Sequence, residues 1–291
     1  MKRAKLIAAI VMVGAATTVW AQDAAPPPAQ APRPGRGRGP SPMLTMKRPI
    51  DMRDTVWIED MTLLEVRDSL AAGKTTAMIF AGGMEDNGPY IAVSQHDSTV
   101  KGMCDVIARK LGNALCAPIA ALAPANPEKA SSPGSVSITA ETFKALLTDE
   151  ATSLKSEGFK NILFMVDHGS DAKPAEEAAK ELAAKWEGSG TAAYYISEYY
   201  NDKALVKFEE DELGVHEKTD GVHYHDDYPY AVVSLVINPE DVRMPERKKV
   251  NLTTVNGYDL AVPKAVSDGK RLMEFRANNT VAAIQKLIPP K

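Results

Sequence analysis

From residue 57 onward the chain alternates between two rhythms of apolar positions. Thr75–Ala81, Ala114 to Leu122, Asn161–Val166 and Thr191 to Ser197 are short apolar runs bounded by turn residues. Runs of that length and composition predict strands buried on both faces. Between them the apolar positions recur at helical spacing. Leu63, Val66 and Leu70 follow Thr62 and Glu65, which form a capping-box pattern, and Gly73 ends that helix. Val100, Met103, Ile107 and Leu111 mark a second helix, residues 139–157 a third that Gly158 stops, and 174–187 a fourth. A last helix covers about Pro263 to Leu287, with Leu272, Phe275, Val281, Ile284 and Leu287 inward. Residues 201–230 break the rhythm and read as irregular. Tyr230 to Ile237 is an apolar run whose element type the pattern does not assign. Strand and helix in alternation imply an α/β fold, three layers α/β/α around a mainly parallel sheet.

The first 45 residues follow neither rhythm. Lys2, Arg3 and Lys5 precede the apolar stretch Leu6 to Val13, and Val19-Trp-Ala21 has the small-x-small form of a cleavage site. The stretch is too short to span a bilayer comfortably, so 1–21 reads as a signal peptide and the protein as periplasmic or secreted, without stable membrane insertion. Residues 22–45 are rich in Pro, Ala, Gly and Arg and predict an extended tether. The globular part is then 46–291, and 44% hydrophobic content supplies one sizeable core. The formal charge of -4 gives no reason to expect nucleic acid as a partner. Cys104 and Cys116 are the two cysteines. In an exported chain they pair or remain two buried thiols, and the sequence leaves both open.

The stretch Ala81-Gly-Gly-Met-Glu-Asp-Asn-Gly-Pro-Tyr-Ile-Ala-Val-Ser-Gln-His-Asp97 follows one predicted strand, and Asp167-His-Gly-Ser-Asp171 follows another. In a parallel sheet both reach the same carboxyl edge, where such folds place their chemistry. All five histidines fall in these loops or in the cluster His216, His223 and His225, each beside carboxylates. Imidazole with carboxylate suits Zn or Mn, and a metal-bound water attacks carbonyls. No Gly-x-Ser-x-Gly elbow, P-loop or dinucleotide fingerprint is present.

Several segments together resemble the creatininase (creatinine amidohydrolase) family. Trp57-x-x-x-Met-Thr-x-x-Glu65 is similar to its opening Trp, Leu-Thr and Glu. Gly83-Met-Glu-Asp-Asn-Gly-Pro89 is similar to its Gly-Ser-x-Glu-Gln-His-Gly-Pro. Ser132-Pro-Gly-Ser-Val-Ser137, with Glu128 upstream, resembles its Phe-Pro-Gly-Thr-x-Ser. Gly158 to Gly169 resembles the strand ending in Asn-Gly-His-Gly, Gly221-Val-His-Tyr-His-Asp226 its Gly-x-His-Ala-Gly-Glu, and Gly257 to Gly269 its late Gly-x-Pro segment. The resemblance spans about 55 to 287. It implies a metal-dependent hydrolase acting on a small amide, lactam or lactone, usually oligomeric.

Carried over residue by residue, the resemblance implies metal ligands Glu85 and His168, with Asp97 if the loop has one extra residue or His96 by strict counting. His223 and Asp226 would move protons or orient substrate. Tyr224, Tyr228 and Tyr230 would line the pocket, with Glu128 as a further substrate-binding residue. Asn87, Tyr90, Lys129 and Ser170 replace residues of the family pattern, and Asn and Ser are poor ligands for a binuclear Zn or Mn pair. The expectation is one divalent ion, Zn or Mn, on Glu85, His168 and Asp97 or His96, a different site rebuilt by His96, His223 or His225, or no metal. With none, the fold serves as a binding or scaffold protein, or His168 and Asp167 work as base and orienter without metal.

Overall fold

The computed structural model describes residues 42–129, 132–217 and 227–289. The chain divides into two units, Met1–Pro42 and Met43–Lys291, and the fold is that of the second. The expected signal segment and most of the expected tether lie outside the described residues.

Strands β1 (Thr76–Ala81), β2 (Ala114–Cys116), β3 (Asn161–Val166) and β4 (Ala192–Tyr195) form one parallel sheet in the order β2-β1-β3-β4. The central pair is in full register from Thr76 opposite Asn161 to Ala81 opposite Val166. Their side chains alternate between two cores. Ala77, Ile79, Ala81, Ile162, Phe164 and Val166 face helices α3 (Ala140–Glu157) and α4 (Ala172–Lys185). Met78, Phe80, Leu163 and Met165 face α2 (Gln95–Leu111) and α8 (Pro263–Leu287). This is the three-layer α/β/α arrangement expected from the rhythm.

Local signals account for the element ends. In α1 (Leu63–Ala71) the Thr62 side chain accepts from Glu65 N and the Glu65 carboxylate accepts from Thr62 N, both halves of the capping box. Gly112 and Gly158 end α2 and α3 at φ 74 and 112, a conformation glycine adopts without penalty.

The structure corrects two expectations and assigns one element the sequence left open. The run 114–122 pairs as a strand only over Ala114–Cys116, with a single further bridge between Ala120 and Ala81. Residues 201–230 are not wholly irregular: α5 (Asp202–Phe208) is capped by Asn201 and continues into a π turn, Glu209–Leu213. The apolar run near 230 is a helix, α6 (Tyr228–Ile237), packed so closely on α8 that a Cβ on Gly269 would lie 2.1 Å from Val232 O. A short helix α7 (Met244–Lys249) and the hairpin β5 (Thr254–Val255) and β6 (Tyr258–Asp259) precede α8. Cys104 of α2 and Cys116 of β2 are joined as a disulfide within the core. Among the described residues no helix is long and apolar enough to cross a membrane.

Candidate active site

Two chain segments leave the sheet side by side, after β1 and after β3. Past Ala81 the chain turns at Gly82 and Gly83, and α2 comes back against this turn. A Cβ on Gly82 would lie 2.2 Å from Asp97 Oδ1, so glycine is what permits the approach. Gly83 N donates to Asp97 Oδ1 (3.0 Å). The loop then closes on itself: Glu85 N donates to Val93 O (3.1 Å), and the buried Asn87 donates its Nδ2 to Ala92 O (3.0 Å) and Glu85 O (3.3 Å). These bonds fix where the Glu85 side chain emerges. After β3, Asp167 is wholly buried, His168 follows, and Gly169–Asp171 make one turn leading into α4.

The side chains meet in a chain of hydrogen bonds. Glu85 Oε1 is 2.7 Å from His96 Nε2, and Glu85 Oε2 is 2.7 Å from His168 Nε2. His96 Nδ1 is 2.9 Å from Asp167 Oδ2, and Arg276 Nη2 of α8 is 2.5 Å from Asp167 Oδ1. His168 Nδ1 is 2.9 Å from Ser170 Oγ and 3.5 Å from Asp171 Oδ1. Cation and carboxylate therefore alternate through Arg276, Asp167, His96, Glu85, His168 and Asp171. Glu85, His96, His168, Gly169, Ser170, Tyr200 and Tyr230 line a pocket of 240 Å³.

Both ring nitrogens of His96 face carboxylate oxygens, which requires a proton on each. Burial opposes that charge, but Asp167 and Glu85 outweigh it and raise the His96 pKa to about 9. For His168 burial is again opposed, by Asp171 and Glu85, and the value rises to about 10. Burial would raise Glu85, yet its bonds to His168 and His96 hold it well below the usual carboxylate range. Asp167 is likewise held low against burial, by Arg276 first and His96 second. Asp97 lies outside this network, and burial pushes it up to about 6. At neutral pH the pocket thus presents an ionised Glu85 between two imidazolium rings.

The structure brings together three of the four residues expected around a metal: Glu85, His96 and His168. His96 stands between Glu85 and Asp167. Asp97, one step further round the first turn of α2, binds Gly83 N. Tyr228 was expected at the substrate, but the structure buries it under α8, its hydroxyl donating to Asp268 (2.8 Å). Glu128 was expected there too; it is exposed in a turn where its N–H meets Asn126, and it does not line the pocket. His216 is exposed, its N–H donating to Tyr258 Oη (2.7 Å). His223, Tyr224, His225 and Asp226 lie outside the described residues. The sequence reading missed Arg276 and Tyr200. Arg276 had a signal: it is four residues from Leu272 and from Thr280, on the inward stripe of an amphipathic helix where a charge is unexpected.

The donor set does not fit a metal ion as it stands. An ion bound at about 2.0–2.2 Å needs a lone pair on each imidazole Nε2. Here each Nε2 instead faces one oxygen of Glu85, and the carboxylate lies between the two rings. Among the described residues no group of three or more His, Cys, Asp or Glu is placed to hold an ion. Asn87 spends its amide on backbone carbonyls, and Ser170 spends its hydroxyl on His168.

The three-layer fold carries an acid–imidazole cluster at the carboxyl edge of its parallel sheet. The sequence model of the creatininase family, creatinine amidohydrolase, matches residues 59–280, and the chain belongs to that family of amidohydrolases. Its fold is similar to that of a crystallised creatinine amidohydrolase (creatininase), 17% identical, at a TM-score of 0.62 over 82% of this chain and 100% of that one. A manganese creatininase (17% identical, TM-score 0.60) and a mutant creatininase of Zn-Zn type (16% identical, TM-score 0.61) cover 81% and 82% of this chain and 100% of their own. No curated protein matches in sequence. Two of these creatininase structures are thus named for divalent metal, zinc and manganese, and this chain is a divergent member of the family.

Proposed function

We propose that the protein hydrolyses a small amide, lactam or lactone in the 240 Å³ pocket, with Glu85 and His168 as a coupled base and acid. The observation that carries this reading is Glu85, ionised and held between two imidazolium rings on the wall of a pocket of small-molecule size. The single ion implied by the family resemblance is left out of the proposal, and no step passes through it.

Glu85 accepts a proton from a water while the water oxygen bonds to the substrate carbonyl carbon. The imidazolium charges of His96 and His168 stabilise the negative oxygen that develops there. His168 gives a proton to the leaving nitrogen or oxygen as its bond to carbon breaks. Glu85 and His168 share a hydrogen bond, so the proton taken from water replaces the one given away, and both groups return to their starting state. Arg276 and Asp167 hold His96 in orientation from behind. Tyr200 and Tyr230 stay neutral, since burial raises both hydroxyls, and they wall the pocket without adding charge. Export is part of the same proposal on the strength of the N-terminal segment, and assembly into an oligomer on the strength of the family resemblance alone.

The test is turnover of a panel of cyclic amides and lactones, creatinine among them, by purified protein and by Glu85→Gln and His168→Gln. The reading expects turnover of at least one member and a loss of roughly 10²–10⁴-fold in each variant, with the circular dichroism spectrum retained. Turnover unchanged in Glu85→Gln, or none across the panel, refutes it.

A further inference from the structure

The chain holds two Asn-Gly pairs, Asn87-Gly88 and Asn256-Gly257. An asparagine before glycine is the one most open to attack by the next backbone nitrogen, because glycine has no Cβ to obstruct the approach. The structure places the two pairs in opposite surroundings.

Asn87 is wholly buried, and its Nδ2 donates to Glu85 O (3.3 Å) and Ala92 O (3.0 Å). The Gly88 N–H, the group that would attack, donates to Asp86 Oδ1 (3.1 Å). Asn256 is instead exposed at the tip of the β5–β6 hairpin, between the paired residues Val255 and Tyr258. Its φ of 47 and the φ of 89 at Gly257 are both positive, as a type I′ turn requires. Among the described residues no hydrogen bond engages the Gly257 N–H. Each strand of this hairpin is two residues long, so the turn opens locally at little cost.

The amide at this tip holds other groups in place. Asn256 Nδ2 donates to Glu217 Oε1 (2.8 Å) and to Asp227 Oδ1 (3.1 Å). The same Glu217 oxygen accepts from the N–H of Tyr228 (2.8 Å), the first residue of α6. One neutral amide therefore fastens two carboxylates together where α6 begins. Tyr230, two residues further along α6, lines the Glu85 pocket. A carboxylate in place of that amide has no proton to donate when ionised and faces two like charges.

We propose that Asn256 is a self-modifying site, and that its conversion to aspartate or isoaspartate unfastens Glu217 from Asp227 at the start of α6. The Gly257 nitrogen bonds to Asn256 Cγ, and the amide nitrogen leaves with the Gly257 proton as ammonia, closing a cyclic imide. Water then adds to one of the two imide carbonyl carbons, and the bond from that carbon to the Gly257 nitrogen breaks. Opening at Cγ gives aspartate, and opening at the main-chain carbonyl gives isoaspartate. Water is the only co-reactant. The proposal stands apart from the hydrolase reading, because no catalytic group of the Glu85 pocket enters the reaction.

The test holds the purified full chain in warm, mildly alkaline buffer made with heavy-oxygen water. Mass spectrometry follows the peptides around Asn87 and Asn256 beside the synthetic peptide Thr-Thr-Val-Asn-Gly-Tyr-Asp, and fragmentation separates isoaspartate from aspartate. The expected result is uptake of solvent oxygen at Asn256 as a mixture of both products, at least tenfold faster than at Asn87 and at least tenfold slower in Asn256→Gln. Freshly made Asn256→Asp should melt at least about 2 °C below the unmodified chain. An intact Asn256 once the synthetic peptide is fully converted overturns the proposal. So does equal conversion at Asn87 and Asn256, or an Asn256→Asp variant that melts with the unmodified chain. The mass readout is taken on the native sequence, so it stands whether or not a variant folds, and hydrolytic turnover has no bearing on it.

Discussion

Replacing Arg276 by Met tests whether the charge chain behind the pocket is a structural unit. Asp167 is wholly buried, and Arg276, 11% exposed, reaches it at 2.5 Å. Arg276 also donates its Nε to Tyr199 O (2.8 Å) and lies 4.0 Å from the Tyr199 ring centroid. Removing one partner of a buried pair leaves an uncompensated charge and costs about 3–5 kcal/mol. Here Asp167 keeps His96, so the low end applies, about 3 kcal/mol. For a domain of this size each kcal/mol moves the melting temperature by roughly 2–4 °C, so the shift is roughly 6–12 °C downward. Arg276→Lys keeps the charge and loses the fork that reaches both Asp167 and Tyr199 O, and should fall in between. Arg271→Met is the control on the same helix, because Arg271 makes an exposed pair with Glu212 (3.3 Å) worth about 0–1 kcal/mol. Differential scanning fluorimetry of the three variants reads the order. If Arg276→Met and Arg271→Met melt within about 2 °C of each other, the buried chain is not a stabilising unit. A second readout concerns sign. Without Arg276, the Asp167 carboxylate has only His96 as counter-charge, so the His96 imidazole should titrate higher by NMR; a downward shift contradicts the network.

Two further outcomes follow from groups already described. His96 and His168 titrate at about 9 and about 10 in the fold against 6.5 ordinarily, so the stability they bring is full below 6.5 and is lost as pH rises through 9–10. Glu85 is held below its ordinary 4.5, so its contribution is present above 4.5 and fades as pH falls, while Asp97, raised to about 6, disfavours the fold once it ionises. Urea midpoints should therefore be highest between roughly pH 4.5 and 6 and drop clearly by pH 10; a flat profile from 6 to 10 would show that the imidazoles gain nothing from the fold. The Cys104–Cys116 bridge closes a short loop, and its loss in Cys104→Ala/Cys116→Ala should cost about 2–4 kcal/mol in urea unfolding, with an unchanged midpoint arguing that the thiols are unpaired in the native protein.

The layers of this fold are written in period. Residues 77–81 and 162–166 are apolar throughout, and α1, α2 and α8 carry stripes whose spacing survives inspection of the sequence alone. Where period failed, packing had overridden local pattern. Tyr228–Ile237 is rich in β-branched residues and buried on almost every side, so it has no polar face to show a helical stripe. Helix α5 is the reverse case: none of its residues is buried, and only the Asn201 cap marks its start.

The candidate site was legible by position and not by geometry. Two strand-end loops converging at one sheet edge follows from topology, and it brings Glu85 to His168 across 83 positions of sequence. What spacing could not settle was whether His96 or Asp97 faces Glu85. That depends on where α2 begins. Helical residues are about 100° apart, so starting at Gln95 turns His96 toward the sheet edge and Asp97 toward Gly83. Once His96 holds that place, two imidazoles and one carboxylate satisfy one another, and Asn87 is left to bond the backbone. Arg276 completes the charge balance from α8, the last helix of the chain, through contacts that no local pattern encodes. The charge at the centre of this protein therefore comes from side chains that four separate segments bring together.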